Sequence, residues 1–414
     1  MHCDPRFSRV REVFERNFAD GAELGAAFAV YLDGELVVDL WDGVADRRTG
    51  RPWERDTPVF AYSCTKAVTA TVLLQLAERG LVDVTAPVAE VWPEFGGQGK
   101  QTITVEHLLS HQAGLPALDE PVPVEEFEDL PAIAARLAGQ RTIWQPGSAH
   151  GYHALTYGFL VGEVVRRLTG KSVGELVAAE ISGPLGLDLW IGAPDDVIAK
   201  AARLTAGPPP GSETGSETGS ETGKGDGAPS RAPGAPVAPS APVPAATPIG
   251  PPKDPITAIA MAAQDPGSLM NRALGNPRIQ DLKGGANHPV ILRAGWPAAG
   301  MVTTARSLAA FYRALLACEL LRPETLEDAI RPRVTGPDRV LLLDSSFGLG
   351  FMRPGMTFFL PSATAFGHTG MGGSMGLADP EHGLAAGYVM NRMADAFSGN
   401  LRAIRLMEAV YRSI

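Results

Sequence analysis

The sequence predicts an α+β fold: an antiparallel sheet flanked by terminal helices, with a mainly helical region inserted into it. Two observations support this prediction, namely a β-hairpin pattern near each end of the 414-residue chain and a long, mostly helical stretch between the hairpins. Hairpins with helices at both ends of the chain, around a helical middle, suggest one antiparallel α+β layer built from both ends. We therefore predict a sheet domain formed by residues 1–61 and 290–414, and a mainly helical domain formed by residues 62–289.

The N-terminal residues show the pattern of a helix followed by a hairpin. Residues 4–20 carry apolar side chains at spacings of three and four among charged ones, which is typical of an amphipathic helix. Residues 26–32 and 35–41 are β-prone runs on either side of Asp33-Gly34. An Asp-Gly pair between two such runs is the strongest short-range signal for a β-hairpin.

The C-terminal residues repeat this arrangement in reverse order. Residues 374–378 and 384–390 are expected to be strands that flank a turn at 379–383, and residues 400–414 have the pattern of a closing amphipathic helix. Between the two ends, residues 62–200 are predicted to be mostly helical, with periodic stretches at 67–79, 154–168 and 173–181.

Residues 207–252 interrupt this pattern with low-complexity sequence. The run Gly-Ser-Glu-Thr occurs three times from Gly211, and a stretch rich in proline and alanine follows. Such a composition buries too little apolar surface to offset its ordering entropy, so we expect a disordered surface insert. A passive linker and a partner-binding segment are both open for it.

The charge balance and the cysteines exclude several classes of protein. With 36 basic and 46 acidic side chains the formal net charge is −10, which disfavours binding to the phosphates of nucleic acid. No run approaches the roughly 18 apolar residues of a membrane span, and the first residues lack an apolar signal core. Three widely spaced cysteines, Cys3, Cys64 and Cys318, give neither a disulfide framework nor a metal pattern. We therefore expect a cytoplasmic globular protein without a metal or other cofactor.

A serine and a lysine stand three residues apart where the first long helix of the middle region is expected to begin. Ser63 is placed at the N-cap and Lys66 one turn further on, so the hydroxyl and the amine share a face. A desolvated lysine near a helix N-terminus can be neutral, and a neutral amine can take the proton of a serine hydroxyl. The pattern therefore indicates an activated nucleophile, with a capping serine beside a solvated lysine as the alternative.

Two further stretches follow in an order that is typical of one superfamily. Residues 151–154 read Gly-Tyr-His-Ala, and residues 367–374 read Gly-His-Thr-Gly-Met-Gly-Gly-Ser. With the serine–lysine pair, these motifs resemble the serine β-lactamase and penicillin-recognising superfamily, and within it the class C-like branch of family VIII-type esterases and D-amino-acid peptidases. The resemblance runs from about residue 10 to the C-terminus and skips the insert. Supporting stretches lie at residues 107–116, 144–147 and 300–305.

The resemblance implies a β-lactamase/transpeptidase-like fold and a role for each motif residue. It makes Ser63 the nucleophile that forms an acyl-enzyme, Lys66 its base, and Tyr152 a second proton carrier whose pKa a neighbouring ammonium would lower. The backbone N–H groups of Ser63 and Met371 would form the oxyanion hole. A packing tyrosine is the alternative for Tyr152. The residues that would contact the substrate beside Met371 are His368, Thr369 and Gly370.

The chain departs from the penicillin-directed pattern at two positions. His368 stands where those members carry a lysine, and a histidine is mostly uncharged at neutral pH. Ala154 stands where they carry an asparagine, so a donor and an acceptor for an acylamino side chain are missing. Both changes weaken recognition of a penicillin-like substrate and leave the acylation chemistry in place.

These residues predict a serine hydrolase of the carboxylesterase/β-lactamase-like type, with an ester, amide or lactam as its small-molecule substrate. We expect an esterase or amidase that acts on small acyl esters or D-amino-acid derivatives. A true β-lactamase or D-alanyl carboxypeptidase is the alternative within the superfamily. A catalytically inactive relative that binds a ligand, and an acyltransferase that uses an alcohol in place of water, are the alternatives of other classes.

A second serine motif competes with this assignment. Residues 372–376 fit the G-x-S-x-G pattern of the α/β-hydrolase nucleophile elbow, with Ser374 as its serine. That elbow needs a helix after the serine and an acid and a histidine downstream, whereas the sequence after Ser374 is expected to be a strand. We therefore interpret Gly372 and Gly373 as positions that let the backbone approach the substrate.

Three other reactive side chains are predicted to be structural. His107 and His111 are four residues apart, as zinc ligands on a helix can be, but no third ligand or catalytic glutamate accompanies them in the metalloprotease pattern. Capping or core histidines are therefore favoured. Cys64 follows Ser63 directly and is expected to be a small packed thiol.

Overall fold

The computed structural model describes residues 1–206, 254–394 and 400–414, so the predicted insert at 207–252 lies outside the described residues. The strands are β1 (His2–Cys3), β2 (Gly25–Leu32), β3 (Glu35–Asp46), β4 (Arg51–Pro52), β5 (Val59–Phe60), β6 (Leu189–Ile191), β7 (Met301–Thr303), β8 (Val334–Pro337), β9 (Asp344–Phe347), β10 (Phe366–Thr369), β11 (Met375–Asp379) and β12 (Leu384–Met390).

The helices follow the periodic stretches of the sequence closely. They are α1 (Ser8–Ala19), α2 (Thr65–Glu78), α3 (Val105–Leu109), α4 (Leu130–Gly139), α5 (Thr156–Thr169), α6 (Val173–Val177), α7 (Gly183–Leu185), α8 (Asp195–Lys200), α9 (Pro255–Gln264), α10 (Leu269–Gly275), α11 (Pro289–Ala294), α12 (Ala305–Leu316), α13 (Pro323–Ile330) and α14 (Leu401–Tyr411). Within the residues described, none of these helices is long and apolar enough to cross a bilayer.

Both ends of the chain contribute strands to one antiparallel sheet. Its order is β1-β3-β2-β12-β11-β10, with β4 paired to β3. Strand β12 joins the C-terminal hairpin to the N-terminal one along β2, where Gly387 is opposite Ala29. This arrangement confirms the predicted α+β fold class. The domain boundaries at 61/62 and 289/290 stay a prediction.

The N-terminal hairpin turns where the Asp-Gly pair predicts it. Asp33 and Gly34 have φ angles of 49° and 86°, which are the positive values that a two-residue hairpin turn requires. The second hairpin is closed by a short 3₁₀ turn, Pro380–His382, and by Gly383 at φ 60°. The positions of both turns were therefore determined by local sequence.

The central strand β2 is buried on both faces of the sheet. Phe28 and Val30 pack in a core with helices α1 and α14, whereas Ala27 and Ala29 pack in a second core with helix α12. This division follows from the alternation of side chains along a strand. Helix α12 can lie close to the sheet because Gly387 has no side chain. A Cβ at this position would be only 2.4 Å from the carbonyl oxygen of Ala305.

The described residues of the middle region are mostly helical, and they include a short strand that the sequence analysis missed. Leu189–Ile191 is a short strand that pairs with Met301–Thr303, which in turn pairs with Val59–Phe60. This small sheet lies directly before the turn that carries Ser63, because Ala61 N–H donates to the carbonyl of Met301 at 2.9 Å. It therefore fixes where helix α2 begins.

Candidate active site

Ser63 lies in a tight turn ahead of helix α2, and the predicted N-cap position is wrong. Residues Tyr62–Cys64 form a 3₁₀ turn, and Cys64 is the N-cap of the α-helix. The turn forms because Tyr62 adopts φ 46° and Cys64 N–H donates back to Ala61. The Ser63 hydroxyl therefore caps no helix, and its side chain is only partly buried.

Lys66 is fully buried, and its amine is within hydrogen-bond distance of the Ser63 hydroxyl. Its Nζ is 3.1 Å from Ser63 Oγ, 2.8 Å from the carbonyl oxygen of Ala154 and 3.0 Å from that of Ala298. A neutral amine has two N–H donors and one lone pair. As an ammonium, Lys66 donates to Ser63 Oγ and to both carbonyls; as a neutral amine, it uses its two donors on the carbonyls and has its lone pair free to accept the Ser63 hydroxyl proton. The alternative of a solvated lysine is therefore excluded.

Burial holds the pKa of Lys66 well below its ordinary value of 10.5. The charged form loses its hydration at a fully buried position, and no carboxylate accompanies the amine among the groups that shift its pKa. Burial therefore shifts the protonation balance of Lys66 from the ammonium towards the amine. A buried neutral amine beside a hydroxyl is the arrangement that general-base activation of a serine needs.

Tyr152 lies beside both groups and is 6% exposed. The Lys66 Nζ is 4.7 Å from the centre of the Tyr152 ring. Burial raises the pKa of the Tyr152 phenol, and the neighbouring Ser63 side chain has a smaller opposite effect on that pKa. The expected lowering of this pKa by an ammonium is therefore wrong, because burial favours the neutral form of Tyr152 and of Lys66 alike.

The loop that carries Tyr152 is held by the stretch at 107–116. The N–H of Gly151 donates to the carbonyl of His111 at 3.1 Å, and the N–H of His153 donates to His111 Nδ1 at 3.1 Å. His107 accepts from Thr104 N–H in a capping box at the start of α3. The prediction that both histidines have capping or core roles is confirmed.

The glycine-rich motif at residues 367–374, the third motif along the chain, lies at the end of edge strand β10, next to the Ser63 turn. The Cys64 thiol donates to the carbonyl of His368 at 3.4 Å, so the strand and the turn are in direct contact. Met371 opens the 3₁₀ turn Met371–Gly373 that follows. Burial raises the pKa of Cys64 to about 12, which confirms the prediction of a packed, unreactive thiol.

His368 supplies no positive charge at the position where penicillin-directed proteins carry a lysine. Its ring is buried, and its Nδ1–H donates to the carbonyl of Thr369 at 2.7 Å. Burial lowers the pKa of His368 to about 3. The imidazole is therefore neutral at physiological pH, as the sequence predicts.

Ser374 does not stand in a nucleophile elbow. It precedes strand β11 in an antiparallel hairpin, and its hydroxyl is fully buried. The two preceding glycines are required by internal packing, because a Cβ at Gly373 would be 1.8 Å from Asn400 Nδ2 and one at Gly372 would be 2.4 Å from Met393 Sδ. These contacts give both glycines a packing role as well, and the approach of their backbone to the substrate stays a prediction.

One residue of this region was missed by the sequence analysis. Asp338 is 2% exposed and accepts a hydrogen bond from the N–H of Tyr152. It follows strand β8 in the hairpin β8–β9, which the sequence analysis did not predict. The sequence Pro337-Asp338 before a run of leucines is a turn signal that could have identified it.

The sheet built from both chain ends, with a helical region holding a serine and a lysine against its edge strand, is the architecture of the penicillin-recognising class of proteins. The chain belongs to the beta-lactamase family, whose family model matches residues 10–411. It is similar to the esterase/beta-lactamase LipL of Mycobacterium tuberculosis, with 35% identity over 405 residues that cover 94% of this chain and 82% of LipL.

Two solved structures of similar sequence agree with this membership. A penicillin-binding protein homologue from Caulobacter crescentus has a TM-score of 0.80 and 36% identity, and a family VIII carboxylesterase has a TM-score of 0.81 and 32% identity. Each alignment covers 100% of this chain and 99% of the other chain. The family and the fold class predicted from the motifs are therefore confirmed.

Proposed function

We propose that this serine hydrolase forms an acyl-enzyme on Ser63 and hydrolyses small acyl esters, with D-amino-acid esters and amides as a second substrate class. The observation that carries the proposal is the 3.1 Å contact between Ser63 Oγ and the buried amine of Lys66. A hydroxyl is a poor nucleophile until a base removes its proton, and a buried amine without a counter-ion is such a base.

Acylation begins when Ser63 Oγ attacks the carbonyl carbon of the substrate and its proton passes to Lys66. The ammonium that forms keeps the carbonyls of Ala154 and Ala298 as acceptors, which stabilise its charge during the step. Negative charge develops on the substrate oxygen, and in this proposal the N–H groups of Ser63 and Met371 bind that oxygen. Two such donors typically stabilise the intermediate by a few kcal/mol.

The leaving group departs with a proton from Tyr152. The bond between the acyl carbon and the leaving oxygen or nitrogen breaks, the Tyr152 hydroxyl donates its proton to that atom, and Lys66 returns a proton to the phenolate. The raised pKa of Tyr152 keeps the phenol protonated and so able to act as an acid. Water then attacks the acyl carbon, and one of its protons passes to Lys66. The bond between that carbon and Ser63 Oγ breaks, the proton restores the Ser63 hydroxyl, and the carboxylic acid is released.

The substrate class follows from two side chains beside the serine. His368 is neutral and buried, so it offers no fixed charge to the carboxylate of a penicillin or cephalosporin. The methyl side chain of Ala154 offers no hydrogen bond to an acylamino group, and the backbone carbonyl of Ala154 already accepts from Lys66. Two of the most similar proteins bear the names esterase/beta-lactamase and carboxylesterase, which supports an ester preference.

A labelling experiment combined with a substrate panel tests the proposal. The purified protein is reacted with a fluorophosphonate probe, and the modified residue is mapped by mass spectrometry. Rates are then measured on p-nitrophenyl acetate and butyrate, a D-phenylalanine amide and a chromogenic cephalosporin. We expect label on Ser63 and the highest kcat/KM on an ester.

Each alternative has its own outcome in this experiment. Cephalosporin turnover far above ester turnover would establish a β-lactamase, for which the double name of LipL is the supporting observation. A folded protein that takes no label would be a ligand-binding relative. Transfer of the acetyl group to an added alcohol in preference to water would identify an acyltransferase.

A further inference from the structure

Hairpin β8–β9 carries a buried carboxylate at its turn. Asp338 accepts hydrogen bonds from the N–H groups of Val340 and Leu341 at 2.8 and 2.9 Å, and from Ser345 Oγ at 2.9 Å. These three bonds organise the hairpin itself, as acidic side chains at turns commonly do.

The same carboxylate also holds a segment that is distant in the chain. The N–H of Tyr152 donates to both oxygens of Asp338, at 3.0 and 3.1 Å. Residues 338 and 152 are 186 positions apart, so this contact is no part of the local turn. It ties the backbone of the tyrosine directly to the hairpin.

Three further contacts join the hairpin to residues 150–153, the tyrosine loop, which carries Tyr152. The Tyr152 ring stacks on Phe347 with 5.9 Å between ring centres and 12° between planes. The N–H of Arg339 donates to the carbonyl of His150 at 3.1 Å, and His150 Nε2 is 3.0 Å from Ser345 Oγ. The hairpin therefore fixes both the backbone and the ring of Tyr152.

The position of the Tyr152 backbone sets the position of its hydroxyl. The hydroxyl lies at the far end of a rigid ring, so a small rotation at the backbone becomes a larger displacement there. A misplacement of about 1 Å at a reacting group can lower the rate about 100-fold. Side chains at reacting positions are accordingly held by supporting hydrogen bonds.

We propose that Asp338 is a positioning residue that holds Tyr152 beside Lys66 and Ser63 through its hydrogen bonds to the Tyr152 backbone. This inference rests on the proposed function, in which Tyr152 is the acid for the leaving group. Asp338 touches no reacting atom and acts only through Tyr152. Its removal should therefore lower kcat and leave KM nearly unchanged.

Two variants separate the local turn from the long-range contact. In Asp338→Ser a short hydroxyl can still accept from the N–H groups of Val340 and Leu341, but it replaces the two-oxygen group that reaches Tyr152. In Asp338→Asn the negative charge is lost, but the amide oxygen is still an acceptor for the Tyr152 N–H. Each variant is made in the wild-type protein and in Tyr152→Phe.

Asp379→Asn is the matched control. Asp379 is also a fully buried carboxylate at a hairpin turn, where it accepts from Tyr411 Oη at 2.8 Å and from the N–H of Glu381 at 3.2 Å. It bonds to no residue of the tyrosine loop. Unfolding midpoints are measured for all variants, so that a loss of stability is separated from a loss of kcat.

We expect Asp338→Ser to lower kcat about 10- to 100-fold on an ester with KM within about threefold, and Asp338→Asn to recover most of that loss. In the Tyr152→Phe background neither variant should lower kcat further, because no hydroxyl is left to misplace. Asp379→Asn should lower the unfolding midpoint and leave kcat near wild type.

Two results would overturn the inference: wild-type kcat in Asp338→Ser, or the same fold-loss in both backgrounds. If Asp338→Ser does not fold, Asp338→Asn in the two backgrounds gives the same comparison with a smaller expected loss. Full activity of Tyr152→Phe alone would instead refute the role of Tyr152 in the proposed function, which keeps the two failures distinct.

Discussion

Gly370 lies so close to the backbone of Ala61 that position 370 has no room for a side chain: a Cβ there would be 2.3 Å from the Ala61 carbonyl oxygen. The N–H of Gly370 donates to the carbonyl of Ser374 at 2.7 Å, so the turn after β10 is fixed as well. This contact holds the segment that carries Met371 N–H against the turn that carries Ser63. The proposed oxyanion hole is thus assembled by a glycine that permits two backbones to touch.

The first prediction is that Gly370→Ala separates these two backbones. The obstacle is a main-chain oxygen, which no rotamer change can move, so overpacking should destabilise the protein by about 1–3 kcal/mol. We expect kcat to fall about 10- to 100-fold because an oxyanion donor is displaced. Gly139→Ala is the control, since nothing lies within 4 Å of a Cβ at the end of helix α4. Unchanged kcat in a folded Gly370→Ala would contradict this role.

The second prediction concerns the two candidate serines. Ser63→Ala should lower kcat by at least about 10⁴-fold and abolish fluorophosphonate labelling, since the nucleophile is lost. Ser374→Ala should keep activity near wild type, because the Ser374 hydroxyl is buried without a hydrogen-bond partner in the part of the chain that the structure describes. Steady-state rates and intact-mass measurements check both variants, and the opposite pattern would reverse the assignment.

The third prediction is the pH dependence of ester hydrolysis. The reaction needs the neutral amine of Lys66, so kcat/KM should rise with pH and level off above an apparent pKa well below 10.5. His368, with a pKa of about 3, and the protonated Tyr152 should add no further step between pH 5 and 9. A kcat/KM profile recorded from pH 5 to 10 checks this. An inflection at the ordinary lysine pKa would contradict it.

The fourth prediction is that Lys66→Met lowers kcat and removes a pH-dependent part of the free energy of unfolding. Between the lowered pKa of folded Lys66 and 10.5 the unfolded chain binds more protons, so the stability of the wild type should rise with pH across that interval. The methionine carries no proton, and its variant should lack this slope and lose at least about 10³-fold in kcat. Urea unfolding of both proteins at several pH values measures the effect. Parallel stability curves would show that Lys66 does not titrate as described.

The fifth prediction tests the neutral histidine of the third motif. His368→Lys places an ammonium where penicillin-directed proteins carry one, so the ratio of cephalosporin to butyrate-ester kcat/KM should increase by about tenfold or more. His368→Gln keeps the position neutral and should leave that ratio near wild type. An unchanged ratio in a folded His368→Lys would show that the charge at 368 does not set the preference.

Local sequence was sufficient for much of the fold. Both hairpins were predictable because strand alternation and turn chemistry depend on neighbouring residues only, as the positive φ angles of Asp33 and Gly34 show. Helix α5 was predictable from its apolar spacing for the same reason. The short strand Leu189–Ile191 was missed because it forms by pairing with Met301–Thr303, more than a hundred residues away.

The sequence by itself determined the candidate residues of the site, because Ser63, Lys66, Tyr152 and the motif at 367–374 stand in a specific order along the chain. Only the tertiary structure decided their protonation. The Lys66 amine is dehydrated by segments brought from residues 154 and 298, and Tyr152 is held by Asp338. A pKa depends on the burial and the partners that the whole fold supplies, and no local pattern contains that information.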